Sequence, residues 1–245
     1  MRTQFSKLAL TAGLMLAITF TFSCSSPDDD NGGGNSNNSN GGSSSPSGGG
    51  DSGVVPSPCP NATTGNGTMS CGGQTYGTVV IGSQTWMAKN LNYKVTGSKC
   101  YGNAESYCNK YGRLYDWETA RLVCPSGWHL PSEFDWGELE SYVESDNGCR
   151  SCAGKHLKSK SGWNSSGKGA DGNGADTYGF SALPGGYGNG SSGGFDHIGD
   201  DGYWWVATEY SAGSPRYRDM GHIYEEVLSY NGDLTFLFSV RCVQD

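Results

Sequence analysis

The chain has 245 residues, a net charge of −8, 40 glycines, 9 cysteines and an apolar content of 35%. This acidity, with no run of Lys or Arg, excludes a nucleic-acid partner, which needs a basic face. Abundant glycine and aromatic residues with little Leu or Ile exclude a helical bundle and favour short strands joined by ordered loops.

The first segment is a targeting signal rather than part of a fold. Arg2 and Lys7 precede an apolar run from Leu8 to Phe22, too short for a comfortable membrane span, and Ser23-Cys24 follows. A cysteine after a small residue at that place resembles the lipobox of bacterial lipoproteins. Residues 1–24 then read as a lipoprotein signal peptide, with Cys24 acylated. Thr21 and Phe22 depart from the usual residues before the small one. Acyl chains hold a protein on a bilayer by apolar burial, about 0.8 kcal/mol per CH₂, so the membrane is a partner through this anchor. Residues 25–57 read as a linker, because Ser25 to Gly53 offers no side chain able to build a core. As a Gly/Ser/Asn coil it spans roughly 30 Å. Asp28-Asp29-Asp30 resembles the export signal of Bacteroidota surface lipoproteins, which implies a lipid-anchored position on the outer membrane, exposed to the outside.

Residues 58–245 are long enough for one domain with its own core. Eight cysteines remain beyond Cys24, and an even number in an exported chain implies disulfides. Proximity suggests Cys59–Cys71, Cys100–Cys108 and Cys149–Cys152, which leaves Cys124 and Cys242. Sequence alone does not choose among the many possible pairings.

In chain order, Gln74–Tyr93 alternates around Val79, Ile81, Thr85 and Met87, and Gly82-Ser83 predicts a hairpin with a type II′ turn. Asp116 caps a short helix whose inner face carries Trp117, Ala120, Val123 and Cys124, and Pro125 stops it. Trp128-His129-Leu130 is extended. Ser132 caps a second helix, with Asp135 completing a capping box and Trp136, Leu139, Tyr142 and Val143 facing the core. From Gly148 to Gly202 the chain is polar and Gly-rich, but Trp163, Tyr178, Phe180, Leu183 and Tyr187 mark an ordered excursion pinned to the core. The end is β-like, with Asn231-Gly232 predicting a hairpin.

Six strings occur in order: YGTVVIGSQTWMAKNLNY, GRLYDWETA, CPSGWHLPSEFDWGELESYV, YGFSALPGGY, GYWWVATE and FSVRCV. Together they resemble the Fibrobacter succinogenes major paralogous domain, over about Gly73 to Asp245. The arrangement is also similar to a C-type lectin-like fold. The resemblance implies an α+β, disulfide-stapled domain with two short helices, small antiparallel sheets and long ordered Gly-rich loops. It also implies a long-range disulfide between Cys124 and Cys242. On that reading Cys124 and His129 are architecture rather than a nucleophile and base, since a cystine is no nucleophile.

Asp171, Asn173 and Asp176 offer oxygens to calcium, yet the loop lacks the remaining ligands of an EF-hand, and the sugar-binding loop motifs of C-type lectins are absent. Asp and Asn beside Gly also mark turns. Cys149-Arg-Ser-Cys152 has redox spacing but no strand–helix context. Neither His-Glu-x-x-His nor a P-loop occurs, so the chain reads as a non-enzyme; the formylglycine-generating type is the distant catalytic alternative. Binding to an extracellular ligand, a glycan or a surface protein is the expected role. Its contact candidates are Tyr203, Trp205, Glu209, Tyr210, Arg216, Tyr217, Arg218 and Tyr224, because Tyr, Trp and Arg dominate interface hot spots. Strand alternation predicts that Trp204 and Trp205 do not both face the core. A structural component of the cell envelope is the alternative.

Overall fold

The computed structural model describes residues 59, 63–165, 169 and 171–245. Residues 1–24 and 25–57, read above as a signal with Cys24 and a linker, lie outside the described residues.

The described chain is α+β. Its strands are β1 (Thr63–Gly65), β2 (Thr68–Cys71), β3 (Gln74–Ile81), β4 (Gln84–Met87), β5 (Ser98–Lys99), β6 (Leu114–Tyr115), β7 (Trp128–His129), β8 (Gly185–Asn189), β9 (Phe195–Ile198), β10 (Asp201–Ser211), β11 (Ser214–Gly221), β12 (Leu228–Asn231), β13 (Phe236–Ser239) and β14 (Val243–Gln244). Its helices are α1 (Glu105–Tyr111), α2 (Trp117–Val123), α3 (Glu133–Asp146) and α4 (Ala153–Leu157). One sheet orders its strands β1-β2-β3-β4-β14-β7, and the other β12-β11-β10-β8-β13-β6-β5 with β9 beside β8. The expectation of two short helices and small sheets is therefore too spare. α1 and α4 add two helices, and the second sheet has eight strands.

Local chemistry explains the elements that were predicted. β3 and β4 pair antiparallel with Ile81 opposite Gln84, and Gly82 supplies the positive φ of 62° that the turn needs. Asp116 Oδ1 accepts the Thr119 N–H at 2.7 Å and starts α2. Ser132 and Asp135 form the reciprocal capping box of α3. Trp136, Leu139 and Val143 of α3 are buried, whereas Tyr142 is 41% exposed and leaves the expected core face.

β10 runs through the middle of the core. Its even residues Trp204 and Val206 pack with Trp136, Leu139, Val143 and Phe180, while Tyr203 and Trp205 pack on the other side with Trp117 and Phe238. Trp204 and Trp205 are 1% and 0% exposed. The prediction that one of them is exposed fails because this stretch of β10 is covered on both faces. Alternation then separates two interiors rather than an inside from an outside.

α3 is held to the sheet by Arg218 of β11. Its guanidinium takes Glu133 in two parallel bonds, Nη1 to Oε2 at 2.8 Å and Nη2 to Oε1 at 3.0 Å, and its Nε reaches Glu140 Oε1 at 2.8 Å. Burial opposes ionisation of Glu133, yet these bonds and charges hold its carboxyl below the ordinary value.

A second buried cation ties the chain end to the excursion. Arg241 lies 4.2 Å from the Phe180 ring centroid, donates to the Phe180 carbonyl, and gives Nε and Nη2 to Asn90 Oδ1 at 3.2 and 2.9 Å. The same oxygen accepts Trp204 Nε1 at 2.9 Å. Asn90 Nδ2 in turn donates to the Tyr111 carbonyl at 2.9 Å.

Among the described residues of the excursion after Gly148, the aromatic side chains of Trp163, Tyr178 and Phe180 are pinned to the core. Trp163 is 5% exposed and donates its indole N–H to Ser159 Oγ and to the Ala182 carbonyl, and Phe180 is fully buried. The excursion also contains α4 and the β8–β9 hairpin, which Gly-rich sequence conceals. Asn231-Gly232 makes no hairpin. β12 pairs back onto β11, whereas β13 pairs with β8 and β6. Neither residue has a positive φ. A Cβ on Gly232 would come within 2.9 Å of the Trp205 ring, so close approach rather than turn geometry requires the glycine.

Four disulfides join Cys59–Cys71, Cys100–Cys108, Cys124–Cys242 and Cys149–Cys152, with Cα separations of 5.5, 5.0, 6.0 and 6.1 Å. Cys124 ends α2, and Cys242 precedes β14.

Candidate functional site: an aromatic cup over two carboxylates

On the Trp205 side of the second sheet, Tyr187, His197, Tyr203, Tyr217, Phe236 and Phe238 line a solvent-open cleft of about 210 Å³. The register assembles it. Asp201, Tyr203 and Trp205 share one face of β10 by strand alternation. Antiparallel pairing sets Asp219 opposite Tyr203 and Tyr217 opposite Trp205, which puts both on that face. Phe236 and Phe238 alternate inward from β13 in the same way. Tyr187 of β8 meets Tyr203, His197 and Phe236 edge to face, at centroid distances of 5.4, 5.4 and 5.6 Å, the arrangement that ring quadrupoles favour.

The rim is polar. His197 sits in β9 with φ at +63°, a backbone state that non-glycine residues seldom adopt. Its Nδ1 lies 2.7 Å from the Tyr203 hydroxyl and 2.8 Å from Asp201 Oδ2. The Tyr203 hydroxyl also donates to Asp201 Oδ2 at 3.2 Å. Burial, with Asp201 and Asp219 nearby, pushes the Tyr203 phenol far above its ordinary value. Burial and Asp219 push Tyr217 up to about 12. Both rings therefore stay neutral hydroxyls throughout the physiological range.

Asp219 is the unusual member. It is 8% exposed, and its Oδ1 is buried without a hydrogen-bond partner among the described residues. Burial first, and then the Asp201 charge, raise its carboxyl from 3.8 to about 7. The raised value means that ionisation of Asp219 costs the fold nothing below about pH 4, where the group is protonated folded or unfolded. Stability falls as pH rises from about 4 to about 7, by on the order of 4 kcal/mol in full. Asp219→Asn should accordingly melt at a higher temperature than the wild type at pH 8, with the difference gone by pH 4. An equal difference at both values would show that the carboxylate is not under strain.

The structure redistributes the contact candidates. Tyr203 and Tyr217 line the cup. Trp205 lies beneath it, fully buried, donating its indole N–H to the Tyr115 carbonyl at 2.7 Å. Arg218 faces the opposite side, 3% exposed and saturated by Glu133 and Glu140. Neither can touch a ligand, because Trp205 is packed under Trp117 and Phe238 and α3 lies over Arg218. Glu209, Tyr210 and Arg216 belong to the far end of the β10–β11 hairpin, Tyr210 roughly 20 Å along the strand from Tyr203. There Arg216 stacks 5.4 Å from the Tyr210 ring centroid and reaches Glu133, while Glu209 accepts the Gly213 N–H. Tyr224, 40% exposed, lies in the loop after β11, outside the lining of the cup. Tyr187, His197, Asp201, Asp219, Phe236 and Phe238 escaped the sequence reading. Their signal was the period of two in Asp201-x-Tyr203 and Tyr217-x-Asp219, which becomes legible only with the register.

Asp171, Asn173 and Asp176 serve three separate loop contacts. Asp171 Oδ1 accepts the Asn173 N–H and Nδ2, Asn173 Oδ1 accepts the Trp163 N–H, and Asp176 accepts the Ser181 N–H and hydroxyl. Asn and Asp beside glycine act here as turn residues. His129, 44% exposed at its side chain, bridges Asp245 at 2.6 Å and Asp135 at 3.3 Å, tying the capping box of α3 to the end of the chain. Gly190-Ser191-Ser192-Gly193-Gly194 has the spacing of a nucleophile elbow. It belongs to the β8–β9 connection, where Asn189 Oδ1 accepts the Ser191 and Ser192 N–H groups, and joins no strand to a helix.

These features define a disulfide-stapled α+β domain with a recessed aromatic cup. The chain belongs to the Fibrobacter succinogenes major domain family, whose family model matches residues 79–244. No curated protein and no solved structure matches it.

Proposed function

We propose that this is a surface-exposed lipoprotein of the outer membrane whose folded domain is a non-catalytic binding module, with its ligand seated in the aromatic cup. The observation that carries the reading is a solvent-open cleft walled by six aromatic side chains and contributed by five strands of one sheet. Aromatic side chains supply large contact area at low entropic cost. Strands hold a site more precisely than loops do. The eight cysteines from Cys59 to Cys242 are engaged in disulfides, which favours scaffold over thiol chemistry. The surface location rests on the apolar leader, Ser23-Cys24 and the Asp28–Asp30 cluster.

We read the architecture as a variant of the C-type lectin-like fold. What supports this is the Cys124–Cys242 bond from the end of a helix to the last strands, the two capped helices α2 and α3, and the long excursion before the final strands.

The test is an array of glycans and extracellular proteins probed with the full chain and with Tyr187→Ala. Selective binding that Tyr187→Ala abolishes, with the circular dichroism spectrum unchanged, is expected. Silence of folded wild-type protein across the array would overturn the reading in favour of a structural envelope component.

A further inference from the structure

We propose that the aromatic cup takes a substituted ammonium group, with the Asp201 and Asp219 carboxylates as its counter-charge. This rests on the binding reading above and specifies its ligand chemistry.

Three independent features converge. The first is the wall. Ring faces carry negative potential, and cations are drawn to them within about 6 Å of a ring centroid. Here Tyr203, Tyr217, Tyr187 and Phe236 surround one space, and no Lys or Arg is among the lining residues. The second is charge. The ionisable groups that bear on Tyr203 are Asp201, Asp219 and Tyr217, and those on Tyr217 are Asp219, Tyr230 and Tyr187. His197, contacting Asp201, is the basic group of the rim. It can balance Asp201 but makes no bond to Asp219. The third is the buried Asp219 Oδ1, which lacks a partner on the face that carries the cup. Asp219 does not itself line the cleft, but its charge bears on Tyr203 and Tyr217, which do; a neutral apolar ligand would leave that charge as it is, whereas a cation against those rings offsets it.

Size narrows the class. A cleft of about 210 Å³ falls below the roughly 300 Å³ at which pockets begin to enclose drug-sized molecules. It suits one headgroup or side-chain end, with the rest of the ligand outside. The chemistry is shared by the trimethylammonium of choline, a lysine or methyl-lysine side chain and a protonated amino sugar.

The experiment titrates the full chain with choline, trimethyl-lysine and glucosamine, and in parallel with 3,3-dimethylbutan-1-ol, the neutral isostere of choline. Tyrosine fluorescence and NMR shifts of the cup residues report binding. At least one cation should bind ten-fold or more tightly than the neutral isostere, and comparison of the three arms identifies the source. Asp219→Asn should weaken the cation several-fold and leave the isostere unchanged. Tyr187→Ala should weaken the cation while leaving the fold intact.

Equal binding of choline and its isostere would overturn the cation assignment while leaving the cup a binding site. No binding of any cation at tens of millimolar would overturn it too. The array, read separately, then decides whether the binding reading survives. An Asp219→Asn protein that binds every cation as the wild type does would remove the carboxylate from the account.

Discussion

Arg241→Ala should cost about 3–5 kcal/mol of folding stability, enough to leave a marginal domain largely unfolded. The guanidinium is 1% exposed, and its donors are spent on Asn90 Oδ1 and on the Phe180 and Ser181 carbonyls. Truncation strands those acceptors in the interior and opens a cavity under Phe180. Asn90→Leu should be comparably severe for the converse reason, since it removes the oxygen that neighbours a buried cation and also holds the Trp204 indole. Because the two side chains act on each other, Asn90→Leu with Arg241→Met should cost less than the two single changes added together. Urea unfolding followed by circular dichroism measures all of this. A loss below about 1 kcal/mol for Arg241→Ala would mean that the network adds no net stability.

Removal of the Cys124–Cys242 bond should be the other large effect. It closes a loop with a sequence separation of 118 residues, linking the end of α2 to the start of β14. The loop-entropy model gives about 4–5 kcal/mol for such a loop. For a domain of this size that is a fall in melting temperature of about 10–20 °C. Cys124→Ala with Cys242→Ala should show it in calorimetry. Cys149→Ala with Cys152→Ala, which opens a separation of 3 residues, should show much less. Similar losses from the two pairs would contradict the view that the long bond holds the ends of the core together.

The fold was legible where a few neighbouring residues decide the outcome. Asp116, Ser132 and Asp135 announce their helices because a cap is a contact between residues at most three apart. Gly82-Ser83 announces a turn for the same reason. The reading failed where distant segments decide. Asn231-Gly232 has hairpin chemistry, but β13 is recruited by β8 and β6, and Trp205 lies against Gly232. Trp204 and Trp205 look like an inside–outside pair until α3 covers one face and the α2 side of the core covers the other. The candidate site suffered most from this. Its aromatic walls come from Tyr187, His197, Tyr203, Tyr217 and Phe236, on five strands. Their convergence depends on the order in which those strands pair. Tyr, Trp and Arg enrichment pointed to the stretch that carries Tyr203 and Tyr217 of the proposed cup, yet Trp205 and Arg218 show that the same residue types also build interiors.

The central claim is that ligand contact occurs in the cup rather than at the β10–β11 hairpin end. Calorimetric titration of an array-selected ligand into wild-type, Tyr217→Ala and Tyr210→Ala proteins tests it most directly. Tyr217→Ala should weaken binding at least about 30-fold, the scale of a truncated aromatic hot spot of 2 kcal/mol, while Tyr210→Ala should bind as the wild type does. Full affinity in Tyr217→Ala, with the loss appearing in Tyr210→Ala, would contradict the account and move the site to the hairpin end that carries Glu209 and Arg216.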